Sequence, residues 1–350
     1  MSDAVLTGVD LHVDNLTAFI HAQVEPFEGL LGVRRVEGGQ SNPTFIVDAG
    51  ARRYVLRRKP AGTLLPSAHA VEREFRVLQA LFGSAVPVPR ARALCEDTAI
   101  LGSPFYLMDF VEGRILGDQT LPGMAQAERR AMYEEMNRVL AALHGVDYKA
   151  IGLQDYGREG RYVERQIERW TRQYRAAETR RIEPMERLID WLPAHVPVQQ
   201  STSIVHGDYR LDNLIFHPTE PRIVAVLDWE LSTLGDPLVD FACHCMSWHL
   251  ALGTHRTLAG ADLALLGIPA ETEYVAAYCH STGSGVDGRI PHWMFYLAFS
   301  MFRLAAIQQG VARRALDGNA AHSQALSVGE RVEATANAGW TLAQLTEEFQ

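Results

Sequence analysis

The chain contains the stretch Ile204-Val205-His206-Gly207-Asp208-Tyr209-Arg210-Leu211-Asp212-Asn213-Leu214-Ile215-Phe216, followed after a turn by Ile223-Val224-Ala225-Val226-Leu227-Asp228-Trp229-Glu230. Short apolar runs that are separated by turn residues predict β-strands. Asp208 and Asn213 then lie on a loop between two strands, and Asp228 directly follows a third strand. Because the second and third strands form a hairpin, we expect Asp228 to return to the same end as Asp208 and Asn213.

Three oxygen-bearing side chains at one end of a sheet suit a hard cation such as Mg²⁺, which prefers oxygen ligands. Phosphoryl transfer requires such a cation and a carboxylate that accepts the proton of the attacking hydroxyl. The spacing from Asp208 to Asn213 is that of a kinase catalytic loop, an Asp followed by four residues and an Asn. Asp and Asn also occur as simple turn and cap residues at strand ends. The joint pattern with Asp228 favours the catalytic interpretation.

The first third of the chain predicts a small antiparallel sheet with one helix. Short β-branched or aromatic runs bounded by turn residues predict strands at 44–47 and 53–56, and two more at 91–95 and 104–108. Between them, apolar residues from 67 to 81 recur at helical spacing. We therefore expect a helix that packs on the sheet.

The remainder of the chain predicts a mostly helical lobe. Helical patterns cover residues 127–144, 161–177 and 185–191, and everything after Leu227 is expected to be helical. A chain of 350 residues is too long for one average core. The sequence thus predicts an α+β fold with an N-lobe at 1–112 that binds nucleotide and a C-lobe at 113–350 that carries the catalytic hairpin and the substrate-binding region.

Composition excludes several classes of function. The 33 basic and 42 acidic residues give a net charge of −9, which argues against a nucleic-acid partner or an anionic membrane surface. The apolar run 293–307 is interrupted by Arg303 and predicts a buried helix rather than a membrane span. The start of the chain shows no secretory pattern, and four cysteines suit free thiols in a reducing cytoplasm. The oligomeric state is left open.

The combination of His206-Gly207-Asp208 with Asn213 resembles the catalytic loop of aminoglycoside phosphotransferases and their relatives. Asp228 resembles the Asp of the protein-kinase Asp-Phe-Gly motif, and Trp229-Glu230 replaces the Phe-Gly as it commonly does in the phosphotransferase relatives. The resemblance implies a protein-kinase-like two-lobed fold with ATP and Mg²⁺ as cofactors. It also implies that Asp208 is the catalytic base and that Asn213 and Asp228 hold the metal.

The same resemblance implies a nucleotide site in the first lobe. A phosphate loop is expected at Gly38-Gly39-Gln40-Ser41-Asn42, although a Gly-Gly turn between strands is by itself only a hairpin signal. Arg57 stands in the place of the strand lysine, with Glu74 as its partner. Nearby Arg58 and Lys59 are the alternatives, and Lys59 lies on the same strand face as Arg57. The basic residues also fit a solvated strand end, and Glu74 also fits an ordinary ion pair on a helix. The adenine-binding hinge is expected at Met108-Asp109-Phe110-Val111.

Several further motifs resemble one subgroup, the kinase-like domain found beside or fused to acyl-CoA dehydrogenases. They are Tyr54-Val55-Leu56-Arg57-Arg58-Lys59-Pro60, Leu65-Pro66-Ser67-Ala68-His69, the catalytic loop, Leu231-Ser232-Thr233-Leu234-Gly235-Asp236-Pro237 and Phe302-Arg303-Leu304-Ala305. The subgroup implies that the acceptor is a small molecule, the hydroxyl of a hydroxy acid or of a hydroxyacyl-CoA. It also implies that Asp236 and Asp240 brace the catalytic loop.

Other hypotheses remain beside this one. An antibiotic-modifying kinase would want an acidic cleft for a polycation, which the seven arginines between 161 and 181 oppose, although such a run is more often a solvated helix face. A catalytically inactive kinase-like binding protein would have no chemical reason to keep Asp208, Asn213 and Asp228. A protein kinase would need an Ala-Pro-Glu segment after Asp228, and the sequence contains none there. Cys243-His244-Cys245 lacks the paired spacing of a zinc site and predicts buried thiols.

Overall fold

In a computed structural model of the protein, the described residues are 12–36, 42–60, 70–250, 256–317 and 328–348. The chain divides into two units. The first comprises Met1–Gly113 and Val224–Leu231, and the second comprises Arg114–Ile223 and Ser232–Gln350. The segment that carries Asp228 therefore belongs to the first unit, whereas Asp208 and Asn213 belong to the second.

The first unit is built on an antiparallel five-stranded sheet with the strand order β1-β2-β3-β5-β4. Its elements in chain order are α1 (Val13–Gln23), β1 (Leu31–Arg35), β2 (Thr44–Ala49), β3 (Arg52–Arg58), α2 (Val71–Leu81), β4 (Ala91–Cys95), α3 (Thr98–Leu101) and β5 (Phe105–Asp109). Strand β2 alternates between buried and partly buried side chains, as expected of a strand with one face on the core. Its register pairs Thr44 with Arg57 on β3.

Helix α2 carries an ionisable side chain into the interior. Its buried residues recur at helical spacing and include Glu74 among four apolar ones. The apolar face therefore decides where Glu74 lies, because a helix that buries this face must bury everything on it. The predicted helix was to begin at Ser67, but residues 61–69 lie outside the described chain and α2 begins at Val71.

The segment Val224–Leu231 joins the first unit through backbone and side-chain contacts. Strand β9 (Ile223–Val226) ends where the Val226 amide donates to the Pro87 carbonyl at 2.9 Å. The Trp229 indole then donates to the Val226 carbonyl at 2.9 Å. Between them, Asp228 has a φ of 64°, a left-handed conformation that is uncommon for residues other than glycine. Asx residues tolerate it best after glycine.

The second unit is mostly helical. Its elements are β6 (Arg114–Ile115), α4 (Gln126–His144), α5 (Tyr162–Ala177), α6 (Glu183–Trp191), β7 (Ser203–Val205), β8 (Leu214–Phe216), β10 (Thr233–Gly235), α7 (Pro237–Cys245), α8 (Leu263–Leu266), α9 (Glu271–Thr282), α10 (Trp293–Leu316) and α11 (Val332–Glu348). Strand β7 pairs with β10, and β6 pairs with β8, both antiparallel. Helix α10 contains the apolar run 293–307 and packs against α5, α7 and α11. Among the described helices, none is long and apolar enough for a membrane crossing.

Some elements of the fold differ from the sequence expectation. Helix α1 was not predicted, and the chain after Leu227 was expected to be helical throughout, yet β10 pairs with β7 directly before α7. A strand of three residues is too short to show a period of two. Its pairing is a tertiary effect, since the partner strand lies about 30 residues earlier in the sequence.

Gly235, the last residue of β10, should not tolerate a side chain. A Cβ at this position would lie 2.8 Å from the Tyr162 ring and 2.9 Å from Val205 Cγ2. We expect Gly235→Ala to lower the free energy of unfolding by about 1–3 kcal/mol through overpacking. Circular dichroism during heating measures the change in the unfolding midpoint. Gly117→Ala, whose Cβ would meet nothing within 4 Å, is the control, and equal midpoints for the two variants would contradict the prediction.

Candidate active site

The loop from β7 to β8 holds Asp208 in the second unit. Strand β7 ends at Val205, a 3₁₀ turn covers Leu211–Asn213, and β8 begins at Leu214. Gly207 has a φ of 81°, so the sharp change of direction before Asp208 occurs at a residue without a side chain. Apolar residues on both strands are buried, which anchors the two ends of the loop in the core.

A buried carboxylate, that of Asp240 on α7, holds this loop by its backbone. Asp240 Oδ2 accepts from the His206 amide at 2.6 Å, and Oδ1 accepts from the Gly207 amide at 2.8 Å. The His144 ring lies 3.2 Å from Oδ2, and its other nitrogen contacts the Tyr278 hydroxyl at 2.6 Å. Burial acts to raise the pKa of Asp240, but the hydrogen bond and charge of His144 and the His206 amide outweigh it and lower the pKa. The carboxylate therefore stays ionised.

A buried cation holds the next peptide group of the same loop. Arg303 on α10 donates to the Gly207 carbonyl and has only 8% of its surface exposed. Its guanidinium also lies 5.5 Å from the centre of the Trp170 ring and within 3.8 Å of Cys243 Sγ. The two peptide groups that flank the Gly207 Cα are thus bonded, one to an anion through the Gly207 N–H and the other to a cation through the Gly207 C=O. This arrangement fixes the backbone that leads into Asp208.

Asp208 itself has one oxygen engaged and one open. Its Oδ2 accepts from Arg210 Nε at 2.8 Å and from Asn213 Nδ2 at 3.1 Å. Asn213 Nδ2 also donates to the Asp208 carbonyl at 2.9 Å, so that the amide oxygen of Asn213 points elsewhere. Within the described part of the chain, no donor reaches Asp208 Oδ1. With 32% of the side chain exposed, this oxygen is available to accept a proton.

The first unit contains a second cluster, around Arg57 on β3. Arg57 Nε lies 3.1 Å from Glu74 Oε2. Tyr106 donates to the same carboxylate at 2.9 Å, and Asn42 Nδ2 donates to it at 2.7 Å. Burial raises the pKa of Glu74, against the charge of Arg57 and the bonds from Tyr106 and Asn42. Glu74 is therefore a buried anchor that positions the guanidinium of Arg57.

Arg57 also reaches the segment after β9. Its Nη2 lies 3.2 Å from Asp228 Oδ1 and 3.9 Å from Glu230 Oε2. Burial acts to lower the pKa of Arg57, but the negative groups around it, Glu74 and Asp228 among them, raise the pKa overall. Arg57 thus remains a cation. Asp228 retains 34% of its side-chain exposure, which leaves its carboxylate accessible for a further ligand.

The structure describes only some of the other residues that were predicted to bind nucleotide. Gly38, Gly39, Gln40 and Ser41 lie outside the described residues. Lys59, the alternative to Arg57, lies 3.4 Å from Glu72 rather than at Glu74. In the predicted hinge, Met108 and Asp109 end β5 and Phe110 and Val111 follow it. Asp109 is held by Arg92 at 2.7 Å, and the Arg53 guanidinium lies 4.9 Å from the centre of the Phe110 ring.

The structure corrects one of the two predicted braces of the catalytic loop. Asp240 contacts the loop, but Asp236 does not, because its side chain caps α7 by accepting from the Leu238 amide at 2.9 Å. An Asp followed by a Pro at the first helical position is an N-cap signal, so that the sequence did contain this information. His144 and Arg303 received no role in the sequence analysis. Arg303 contacts the loop and His144 contacts Asp240, and both contacts join distant parts of the chain, which spacing does not show.

Two other sequence features have local explanations. The arginines on and after α5 are mostly exposed and pair with carboxylates, as Arg175 does with Glu186 at 2.6 Å and Arg180 with Glu333 at 2.7 Å. They form a solvated face. His244 contacts the Tyr274 hydroxyl at 2.8 Å, and burial lowers its pKa to about 4. Burial also raises the pKa of Cys243 to about 11, so this thiol stays protonated.

Comparison with known proteins connects these clusters to one family. The model of the phosphotransferase enzyme family matches residues 32–283. Acyl-CoA dehydrogenase family member 10 of Mus musculus is 49% identical over 326 residues, which are 90% of this chain and 30% of that protein. Family member 11 of Mus musculus is 40% identical over 344 residues, 95% of this chain and 43% of that protein. The chain thus spans less than half of the length of these relatives.

Solved structures show the same fold. A protein from Ralstonia eutropha JMP134, provisionally described as an aminoglycoside phosphotransferase, is 54% identical with a TM-score of 0.86, covering 95% of this chain and 98% of that one. Choline kinase from Cryptosporidium parvum is 13% identical with a TM-score of 0.65, covering 96% of this chain and 95% of that one. A thermostable mutant of aminoglycoside phosphotransferase APH(4)-Ia, solved with AMP-PNP and hygromycin B, is 17% identical with a TM-score of 0.61. The match covers 94% of this chain and 98% of that one. The predicted α+β, protein-kinase-like fold class is confirmed.

The buried cap Asp236 should make stability depend on pH. Burial raises its pKa from 3.8 to about 6, so the native state binds a proton that the unfolded state has released between these values. Wild type should therefore lose about 2 kcal/mol relative to Asp236→Asn as the pH rises from 4 to 7. Urea unfolding of both proteins across this range measures the difference. Asp262→Asn, at the exposed cap of α8, is the control. A difference that does not vary with pH would contradict the assignment.

Proposed function

The chain belongs to the phosphotransferase enzyme family and is a small-molecule kinase, and we propose that it transfers the γ-phosphoryl group of ATP to a hydroxy acid or hydroxyacyl-CoA. The observation that carries the proposal is the state of Asp208, whose Oδ2 is held by Asn213 and Arg210 while Oδ1 receives no bond within the described chain. The resemblance to the kinase-like domain of acyl-CoA dehydrogenase relatives is confirmed.

In this proposal Asp208 Oδ1 orients the acceptor hydroxyl and accepts its proton. The hydroxyl oxygen forms a bond to the γ-phosphorus as the bond from that phosphorus to the bridging oxygen breaks, and ADP leaves with the electron pair. The proton passes from Asp208 to solvent. Because Asp240 and Arg303 already fix the backbone before Asp208, the base needs little reorganisation when the acceptor binds.

Mg²⁺ would be held by Asn213 and Asp228. The donor set fits a hard cation, because the Asn213 amide nitrogen is used in the loop and leaves its oxygen as a ligand, and Asp228 is a partly exposed carboxylate. The backbone of Asp228 is left-handed, and such strained conformations are typical of residues at functional sites. When bound, the cation would neutralise charge on the transferred phosphoryl group.

The nucleotide would be held by groups of the first unit. Arg57 is the proposed phosphate ligand, since Glu74 fixes it from one side and its guanidinium stays charged. Gly38, Gly39, Gln40, Ser41 and Asn42 are the proposed phosphate loop, and the backbone of Met108, Asp109, Phe110 and Val111 is the proposed hinge for the adenine ring. The AMP-PNP complex of APH(4)-Ia supports ATP as the donor, and GTP is the alternative to test.

The proposed acceptor class follows the acyl-CoA dehydrogenase relatives. Aminoglycosides are the alternative, because the Ralstonia structure carries that description. Arg210 lies directly against Asp208, and such a cation is unfavourable for a polycationic acceptor. A cytoplasmic location and the absence of nucleic-acid and membrane partners remain predictions.

The decisive assay is ADP release from Mg-ATP and Mg-GTP with hydroxy acids, hydroxyacyl-CoAs and aminoglycosides. We expect turnover with a hydroxy acid or its CoA ester, and a loss of about 10³-fold in kcat for Asp208→Asn, because general base catalysis is removed. Nucleotide affinity, measured by calorimetry, should stay within about threefold of wild type. Turnover with aminoglycosides alone would refute the acceptor class, and an active Asp208→Asn would refute the base.

Asp228→Ala should change the metal dependence rather than the base. We expect the Mg²⁺ concentration for half-maximal activity to rise about tenfold or more, because a carboxylate ligand is lost. Steady-state kinetics over a Mg²⁺ series measures it. Glu230→Gln is the matched control, since it removes a second carboxylate beside Arg57 without removing a proposed ligand. An unchanged Mg²⁺ requirement in Asp228→Ala would contradict the role of Asp228.

A further inference from the structure

Two arginines meet beside the proposed base, and the mechanism above uses only the bond from Arg210 to Asp208. Arg210 donates through Nε to Asp208 and through Nη1 to Asp212 Oδ2 at 2.6 Å. Arg256, which lies between α7 and α8 in the chain, donates through Nη2 to the same Asp212 oxygen at 3.2 Å. Two guanidinium groups therefore converge on a single carboxylate oxygen next to Asp208.

This convergence places like charges close together. Partial burial and the positive charge of Arg210 lower the pKa of Arg256, and the negative charges of Asp212 and Asp208 only partly oppose that effect. A further oxyanion near the pair would relieve the repulsion between the two cations. Guanidinium groups present paired N–H donors in the geometry that carboxylates and phosphates accept.

The pair is accessible, and it is not needed to hold the loop. Side-chain exposure is 28% for Arg210, 27% for Asp212 and 44% for Arg256. The backbone before Asp208 is already fixed by Asp240 and Arg303, as described above. The Asp208 carboxylate is also held by Asn213. Because both guanidinium groups are accessible beside Asp208, a binding role accounts for their convergence.

We propose that Arg210 and Arg256 form an oxyanion-binding subsite that recognises a negatively charged group of the phosphoryl acceptor. The proposal rests on the kinase function proposed above and sharpens its substrate class. The acceptor carries, besides its hydroxyl, a carboxylate or a phosphate that the two guanidinium groups bind. A free hydroxy acid supplies a carboxylate, and a hydroxyacyl-CoA supplies the phosphates of its nucleotide.

Matched acceptors test the subsite. The assay compares kcat/KM for a hydroxybutyrate with that for its neutral amide, and for the hydroxybutyryl-CoA ester with that for the pantetheine thioester, which lacks the CoA nucleotide phosphates. In Arg256→Gln, at least one of the two charged-to-neutral ratios should fall about tenfold or more, because a charge-assisted hydrogen bond is lost. A fall in the first ratio identifies the carboxylate, and a fall in the second identifies a phosphate.

Controls separate recognition from folding. Arg256→Lys should recover part of the ratio, because the positive charge is kept while the paired donors are lost. Arg130→Gln removes an exposed arginine that pairs with Glu134 on α4, and it should leave both ratios at the wild-type value. If Arg256→Gln leaves both ratios unchanged, or lowers kcat/KM equally for charged and neutral acceptors, the subsite is refuted.

A binding measurement keeps the subsite testable without turnover. If wild type phosphorylates none of these acceptors, the proposed acceptor class fails by itself. Inorganic phosphate, used as the probe in a thermal unfolding series, should then raise the unfolding midpoint of wild type more than that of Arg256→Gln. Equal stabilisation of the two proteins by phosphate would overturn the subsite.

Discussion

A single buried carboxylate, Asp240, fixes the part of the molecule where chemistry is proposed. It accepts two successive backbone amides, those of His206 and Gly207, and stays ionised because His144 lies against it. A buried anion is costly unless its hydrogen-bonding capacity is filled, and here backbone amides fill it. The result is a loop whose direction is determined from α7 rather than by its own sequence. Arg303 completes the restraint from α10 by donating to the Gly207 carbonyl, in the peptide group that follows.

The first unit uses the same principle, but there the buried carboxylate holds a side chain instead of a backbone segment. Helix α2 buries Glu74 because Glu74 shares a face with apolar residues, and the buried carboxylate then positions Arg57. Asn42 and Tyr106 donate hydrogen bonds to the two carboxylate oxygens of Glu74, so that this buried group has its hydrogen-bond partners. In both units, a buried acid that takes no part in chemistry orients the group that does. Removing such an acid leaves its partner buried and uncompensated, which is more disruptive than removing the exposed group itself.

Much of this arrangement was readable from the sequence. Alternating and helical patterns located β2, β3 and α2, and the spacing from Asp208 to Asn213 located a loop whose two side chains do hydrogen-bond. Long-range contacts were not readable, because nothing in the spacing connects His144 with Asp240, which lie 96 residues apart. Strand β10 was missed because its pairing with β7 depends on tertiary structure. Asp236 was predicted to brace the loop by resemblance, but it caps α7, as an Asp directly before a Pro at a helix start indicates.

Arginine at position 57 has a consequence for chemical labelling. The chain has only two lysines, Lys59 and Lys149, and each lies against a carboxylate, Glu72 and Glu159 respectively. Nucleotide analogues that carry an acylating group modify amines, whereas a permanently protonated guanidinium is not nucleophilic. At Arg57 such a reagent would find no amine to acylate. Labelling by such analogues would therefore leave Arg57 unmodified, and the nearest amine in the sequence is that of Lys59, which lies against Glu72.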